Sequence, residues 1–537
     1  MKKIYLILYS ILFILTGCDM MEEKGNYDYN AINEIVFEKF VNDEGVDVGD
    51  AFFAEIGETL KLTPYFSQTI DKDESDLVFY WTIWAQAQQS TAIIDTISRD
   101  RNLAWNVNVP NGEYNLRFFA QNTKTNIYYR KNFKMTAISD KSGGLYILSD
   151  LDGVANVSVI HKDGGVRQNV YQNANEGKSV GRNPMCIADA RVFQNPDLQN
   201  ILILCGDETG GAAVSSITRV KESNMRDMFM VPPVTIKPEA YYRSTFPSIY
   251  VYNDHLINDG KLYCRDLQYQ SQGKSYFGTS VRLPRFSEYS DYHLSKYAFV
   301  TGLAYIFYDN LNCRFWTLDV RDETITGYFK NISQKRDDPK AFDPNDTGVY
   351  VYYMGKGNDA NNGAILQAYA VGRIVEDEHP SGYSKGTGVI LCFDAVMPGD
   401  SWASYSITPM SEEAINIVEQ AKSFAMSKLY PHMFCAKDNK LYMVDLYTGD
   451  IREILDIHTL APQHNIDHVY MRTVMATYYK YDTSPEINLV LYLGTSMSGG
   501  NSRDGSVFEI QLKTDGTFDK VKNVCNVNGR VVSMDYL

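Results

Sequence analysis

One short phrase recurs along the last three-quarters of the chain. An apolar run rich in Tyr, Val, Leu and Ile closes on a small or acidic residue, a loop follows, and another run begins. It reads Leu145–Asp150, Ile201–Asp207, Tyr297–Thr301, Gly348–Gly355 and Leu489–Gly494. A second phrase pairs with it: strand, tight turn, strand, as in Asn439–Asp450 and Gly505–Gly516, with degenerate copies at Asn312–Asp319 and Gly260–Asp266. Short strands repeated at a near-constant period are how radial four-stranded sheets are encoded, because each sheet buries its faces only against neighbouring copies. Residues 143–537 are therefore expected to form a β-propeller, with seven blades expected and six or eight left open. A β-helix or a pair of sandwiches is the alternative. Composition agrees: 39 Tyr and 25 Phe stand against 5 Trp, and aromatic-rich chains favour strands. The 44% hydrophobic and 22% charged content excludes a disordered chain and a polytopic membrane protein.

One segment breaks the pattern. Thr408-Pro409-Met410-Ser411-Glu412-Glu413 supplies a cap candidate, an early proline and first-turn acids. Ile415, Val418, Ala421 and Ala425 follow at helical spacing, so a short helical insertion is expected near 409–425.

Residues 26–140 read differently. Gly57–Pro64 ends in period-2 alternation, Val78–Trp84 and Gly112–Ala120 are further strands, and Ile127–Thr136 is a fourth. Four or more strands with short polar turns in this length predict a β-sandwich, with Trp81 as core rather than as a ligand platform. Asp71–Asp76 holds several oxygen ligands, yet the glycine and distal Glu of a calcium loop are missing, so it reads as a solvated loop.

The N-terminus carries its own signal. Lys2 and Lys3 precede an apolar run, Ile4–Leu15, that is too short for a comfortable membrane span. Leu15-Thr16-Gly17-Cys18 then reads as a lipobox. Residues 1–17 are expected to be a lipoprotein signal peptide, Cys18 the lipidation site, and 18–25 an acidic tether bearing Asp19, Glu22 and Glu23. Acyl chains on one residue anchor stably when there are several of them. The remaining cysteines, 186, 205, 264, 313, 392, 435 and 525, are odd in number and lack ligand spacing. Several lie in apolar runs and read as small buried hydrophobes; no disulfide pair is named.

A family resemblance rests on these residues. The order G-x-x-L-x-L-x-P, Y-W-x-I and G-x-Y-x-L-x-F-x-A-x-N resembles a PKD-type immunoglobulin-like domain. The entry Gly25-Asn26-Tyr27-Asp28-Tyr29-Asn30, with the lipobox, is similar to the PKD-like family of Bacteroidetes surface lipoproteins. The stretch from Ser423 to Tyr442 resembles that family's C-terminal pattern. The resemblance implies export to the outer face of the outer membrane, where acids after the lipidated Cys act as the export signal. It also implies an accessory role beside SusC/SusD-like TonB-dependent transporters, with sister lipoproteins as partners and a glycan or peptide as ligand.

Chemistry is sparse in the sequence. The net charge of −15 argues against nucleic acid, because phosphate neutralisation needs basic excess. No Gly-x-Ser-x-Gly elbow occurs, and Ser506 sits in a blade turn. His464-Asn465-Ile466-Asp467-His468 lacks the Glu of a zinc protease and reads as turn or strand. No metal, cofactor or catalytic residue is assigned. Binding residues are sought among aromatics outside the core: Trp402 and Tyr405 before the helical insertion, Tyr241 and Tyr242 in a loop-like cluster, and Tyr289–Tyr292 in another. The expected function is that of a non-enzymatic, lipid-anchored recognition protein. A surface glycoside hydrolase, lyase or peptidase is the rival, and it predicts acids, or acid with Tyr and Arg, converging on the propeller axis. A scaffold that only contacts the transporter is a third reading and predicts a featureless mouth.

Overall fold

Alternating burial along the N-terminal strands sets them in two facing sheets. In a computed structural model the described residues are 32–43, 45–70, 72–85, 94–109, 112–138, 144–161, 165–191, 199–216, 219–243, 253–266, 276–300, 304–319, 328–334, 341–357, 367–394, 401–472, 475–477, 480–481, 488–497 and 504–536. Cys18 and its tether lie outside them. The chain divides into two compact units, Met1–Ile138 and Ser139–Leu537.

The first unit has eight strands: β1 (Ile35–Val41), β2 (Ala51–Glu55), β3 (Thr59–Gln68), β4 (Leu77–Ala85), β5 (Asp95–Ser98), β6 (Leu103–Asn106), β7 (Gly112–Asn122) and β8 (Tyr128–Ile138). One sheet runs β1-β3-β6 and the other β2-β8-β7-β4-β5. Every pair is antiparallel except β2 with β8, which is parallel. Side chains of a strand alternate between faces. Trp81 and Ile83 of β4, Leu116 and Phe118 of β7, and Phe133 and Met135 of β8 therefore all point inward and are buried. Phe40 of β1 crosses the gap and meets Trp81, Phe118 and Phe133 at 6.0, 5.5 and 4.8 Å between ring centres. Trp81 is fully buried, and its indole Nε1 donates to the Arg101 carbonyl at 3.3 Å. It is a core residue, and its one polar atom is satisfied. Of the Asp71–Asp76 loop, Asp71 lies outside the described residues; Asp73 accepts from the Ser75 backbone N–H at 3.0 Å and hydroxyl at 2.8 Å.

The second unit is a β-propeller. Among the described residues it contains seven sheets arranged in a ring, besides a two-stranded ribbon at Met475–Thr477 and Lys480–Tyr481. Blade two runs Pro184–Arg191, Gln199–Cys205, Gly211–Ser215, Lys221–Asn224, each antiparallel to the next, and blades three, six and seven follow the same order. Their inner strands are Pro238–Arg243, Ser423–Met426 and His464–Met471. Blade four has three strands from Phe299–Val300, and blade five, from Val349–Lys356, gains Ser333–Gln334 alongside its outer strand Ser401–Pro409. Blade one is closed by the end of the chain: Arg530–Tyr536 pairs with Gly144–Leu151 as its inner strand. That last strand touches the inner strands of both blade two and blade seven, and each other inner strand touches the next. The ring is thereby complete.

The recurring terminal Asp has a local cause. Asp445 Oδ1 accepts from the backbone N–H of Tyr447 and Thr448, at 2.9 and 3.1 Å, and Gly449 then takes φ +77°. Asp309 Oδ1 accepts from Leu311 N–H at 3.0 Å, and Asp515 Oδ1 from Thr517 N–H at 3.0 Å. An Asp that caps turn amides stabilises a strand reversal, between strands two and three at Asp309 and between strands three and four at Asp445 and Asp515.

The helical insertion is shorter than its sequence signals suggest. It spans Glu412–Gln420, with the Ser411 hydroxyl accepting from Ala414 N–H at 3.1 Å as N-cap. Pro409 ends the preceding strand instead of opening the helix, and Ala425 belongs to the next blade's inner strand. Ala414, Ile415, Ile417 and Val418 pack between blades five and six.

Candidate functional site

Inner strands of a propeller have one face toward the axis, so every second residue there meets residues of other blades. Two levels of such residues stand out. At the first, Tyr297 (blade four), Tyr353 (blade five) and Phe424 (blade six) form an aromatic wall. Tyr353 and Phe424 stack at 5.1 Å and 16°, and Tyr297 stands edge-on to both, at 4.8 and 5.8 Å. Lys296 places its ammonium 5.1 Å above the Tyr297 ring. Tyr242 (blade three) donates its hydroxyl to the Lys296 carbonyl at 2.5 Å and accepts from Ala298 N–H at 2.9 Å. Cys186 (blade two), Ser533 (blade one) and His468 (blade seven) are carried by the other inner strands. The Ser533 hydroxyl accepts from Ile187 N–H at 3.3 Å, and the Ser423 hydroxyl meets His468 Nδ1 at 3.2 Å.

At the second level Asp535 of the closing strand meets Asp189 of blade two and Tyr470 of blade seven. Asp535 Oδ2 accepts from the Asp189 backbone N–H at 3.2 Å. Oδ1 accepts from the Tyr470 hydroxyl at 3.3 Å and from Tyr536 N–H at 3.0 Å. The guanidinium of Arg243, one-tenth exposed, approaches Asp189 Oδ2 at 3.9 Å, too long for a hydrogen bond. The Arg243 Nε–H is buried with no partner. Arg472 lies over the Tyr536 ring at 3.6 Å.

This enclosure shifts the ionisation of the axial groups. Burial, then the neighbouring charge of Asp189, lifts the Asp535 carboxyl to about 6. Burial, then Lys296, holds His468 neutral, with its pKa lowered to about 3. Burial, then Asp535, pushes the Cys186 thiol up to about 11, so it is a thiol and not a thiolate at neutral pH. Tyr470 is raised well above 10 by burial and by Asp535. Of these groups Asp535 alone titrates near neutrality. Desolvation and a like charge raise a carboxyl in the same direction, and both act here.

The binding residues expected from sequence fall on different sheets. Tyr241 and Tyr242 are not in a loop; they lie on the inner strand Pro238–Arg243. The run is flanked by prolines and ends in charge, which reads as loop, but strand pairing with Asn253–Asn258 decides its conformation. Tyr241 is buried between blades two and three, where its hydroxyl donates to Asp254 Oδ2 at 2.6 Å and Arg265 Nε grips both Asp254 oxygens at 3.1 Å. Tyr242 reaches the axial level. Tyr405 is on the outer strand of blade five, its hydroxyl 3.3 Å from Asp394 Oδ2. Trp402 is on that strand too, its backbone paired with Gln334; its side chain lies outside the described residues. Tyr289–Tyr292 is a loop, with Tyr292 buried and its hydroxyl bonded to the Val281 carbonyl at 2.7 Å. His464–His468 is a strand, and the two histidines take different partners, Thr495 and Ser423.

Asp189, Asp535, Tyr470, Lys296 and the aromatic wall escaped sequence reading. Their one sequence signal is a charged or hydroxylated residue inside an otherwise apolar strand, as in Val531-Val532-Ser533-Met534-Asp535. A separate cleft of about 670 Å³ is lined by Ile332, Phe342, Asn345 and His379. Its His and Asn are engaged locally: His379 bonds the Thr347 carbonyl and the Ser381 hydroxyl, both at 2.7 Å, and Asn345 Oδ1 takes Ile332 N–H at 2.9 Å; Asp343 and Asp346 add two carboxylates to the lining. The axis therefore carries the stronger chemistry. Among the described residues no group of three or more His, Cys, Asp or Glu is placed to hold a metal, and no helix is long and apolar enough to cross a membrane.

Comparison with known proteins places the first unit. Residues 20–184 match the PKD-like family, so the sandwich is similar to that family's domain. No curated protein matches. Among solved structures, a quinoprotein alcohol dehydrogenase-like protein of Bacteroides thetaiotaomicron is 12% identical with a TM-score of 0.40, covering 93% of this chain and 100% of that one. The WD40 domain of SCAP from fission yeast is 8% identical with a TM-score of 0.24, covering 78% of this chain and 87% of that one. Scores this low carry no functional argument; the propeller assignment rests on the sheet topology.

Proposed function

We propose that this chain is a non-enzymatic, lipid-anchored protein of the outer-membrane surface. On this reading Cys18 carries the anchor, the PKD-like sandwich is a spacer, and the propeller is the recognition head. The protein serves a SusC/SusD-like TonB-dependent uptake system as an accessory that captures or hands over a glycan or peptide.

The observation that supports recognition is the axial site. The inner strands of three blades carry an aromatic wall, and those of three others carry hydroxyl and carboxyl groups. Binding sites combine apolar faces with a few placed polar groups in this way. The thiol and imidazole at the first level are held in their neutral forms, which suits hydrogen bonding over nucleophilic attack.

A specific observation favours the enzyme reading as well. Asp189, Asp535, Tyr470 and Arg243 converge on the axis, and Asp535 titrates near neutrality, as a general acid would. One experiment separates the two. The lipidated protein is pulled from solubilised outer membranes and its companions are identified. Recovery with a SusC/SusD-like pair supports the accessory role. Recovery alone, with turnover of a glycan or peptide pool that Asp535→Asn abolishes, overturns it in favour of the enzyme.

A further inference from the structure

The outer face of the sandwich's five-stranded sheet differs from the rest of this acidic chain. Residues pointing away from the core fall in rows across β4, β7 and β8. One row is Tyr80, Phe119 and Arg130; the next is Thr82, Arg117 and Asn132; the third is Trp84, Asn115 and Lys134. Tyr128 extends the face beside Gln121 and is 59% exposed. These three rows hold no carboxylate, although the chain carries a net charge of −15; the acids of the same face, Glu113 opposite Thr136 and Glu55 opposite Ile138, lie beyond them at one end. Arg99 joins from beyond β5, its guanidinium 5.4 Å above the Tyr80 ring.

The arrangement of the cations decides what the face can take. Arg117 lies over Trp84 at 4.5 Å and over Phe119 at 5.5 Å, and its Nε donates to Asn132 Oδ1 at 2.6 Å. The rings of Tyr80, Trp84 and Phe119 are thus covered by guanidinium groups and are not open for a sugar ring to stack on. Among the described residues Arg99, Arg117, Arg130 and Lys134 form no ion pair. Burial, then the nearby Arg130, holds Arg117 below its ordinary pKa. Guanidinium forks match phosphate oxygens, and Tyr128, exposed at the edge of the face, is of the residue type that settles at the headgroup level of a bilayer.

We infer that this sheet face docks on an anionic, phosphate-bearing membrane surface, the surface to which the chain is itself anchored. The inference rests on reading Cys18 as the lipidation site. Cys18 lies 17 positions before Ile35. At a contour of at most about 3.6 Å per residue, the tether holds the sandwich within roughly 60 Å of the bilayer. Confinement on that scale raises the local concentration of the face at the membrane, so a modest attraction is enough to seat it.

The test uses the full chain with Cys18→Ser, which takes no lipid, sedimented with phosphatidylglycerol or phosphatidylcholine vesicles. Binding is expected to phosphatidylglycerol only and to fall with salt. Each cation near an anionic surface contributes about five-fold to partitioning. The variant Arg130→Gln/Lys134→Gln, altering two exposed side chains that bear no structural contact, is therefore expected to lose binding about 25-fold. Adding Arg117→Gln deepens the loss, and Lys520→Gln on the propeller leaves binding unchanged. Equal binding to both vesicle types, no binding to either, or full binding by the double variant overturns the proposal. So does a face that binds soluble polygalacturonate in an Arg130-dependent manner while ignoring vesicles. Palmitate labelling of the unaltered chain checks Cys18 separately, so failure of the anchor and failure of the docking face are told apart.

Discussion

Replacing Asp535 by Asn should change the pH dependence of stability in a defined window. The carboxyl rises from 3.8 to about 6 on folding, through burial and then the charge of Asp189. A carboxyl raised in the native state binds more protons there than in the unfolded chain. Stability therefore falls as pH climbs from about 4 to about 6, and the full penalty stands above 6. A rise of that size is worth about 3 kcal/mol, since a tenfold change in proton affinity is about 1.36 kcal/mol; the figure is a ceiling because Asp535 keeps some exposure to solvent. Asn is uncharged throughout, so the variant escapes this penalty. Its amide places a donor against either the Asp189 N–H or the Tyr470 and Tyr536 donors, a constant cost of about 1–3 kcal/mol. The diagnostic is thus the slope and not the offset. Urea unfolding of both proteins at pH 4, 5, 6 and 7.5 should show the variant gaining on the wild type by about 2–3 kcal/mol between pH 4 and 7.5. A difference that stays flat across that range would refute the claim that Asp535 is enclosed beside a like charge. A gain confined below pH 4 would refute it equally.

Three further outcomes follow from packing. Asp254→Asn should destabilise by about 3–5 kcal/mol, because it leaves the Arg265 guanidinium buried without its charge partner; the double variant Asp254→Asn/Arg265→Met should lose less in a double-mutant cycle read by urea unfolding. Trp81→Ala should cost about 3–5 kcal/mol through the cavity left among Phe40 and Phe118, measurable by calorimetry as a lowered transition for the sandwich. Gly494→Ala would bring a Cβ to 2.5 Å from the Val531 side chain of the closing strand. It should cost about 1–3 kcal/mol and speed amide exchange in residues 530–536, read by hydrogen exchange.

Local chemistry determined much of this protein. Period-2 alternation at the end of Gly57–Pro64 marks a half-buried strand wherever it is placed, because a one-residue slip would expose the whole apolar set. The Asp that closes many strands is equally local, since it caps amides two or three residues on. Ser411 and its following acids start a helix for the same reason, and the sequence misplaced only the ends, where Pro409 and Ala425 obey neighbouring strands. The axial site is another matter. Asp189, Lys296, Tyr353, Tyr470 and Asp535 are spread over 347 positions, and nothing near any one of them announces the others. They meet because the ring closes through Arg530–Tyr536, which brings the end of the chain between blades two and seven. The same closure dehydrates Asp535 and sets it beside a like charge, so even its ionisation belongs to the tertiary structure. Tyr241 shows the converse: an aromatic that reads as a free loop residue becomes a buried partner of Asp254 once its strand is paired. Strand identity is written in neighbours a few residues apart, whereas the environment of an inner-strand side chain is supplied by blades hundreds of residues away.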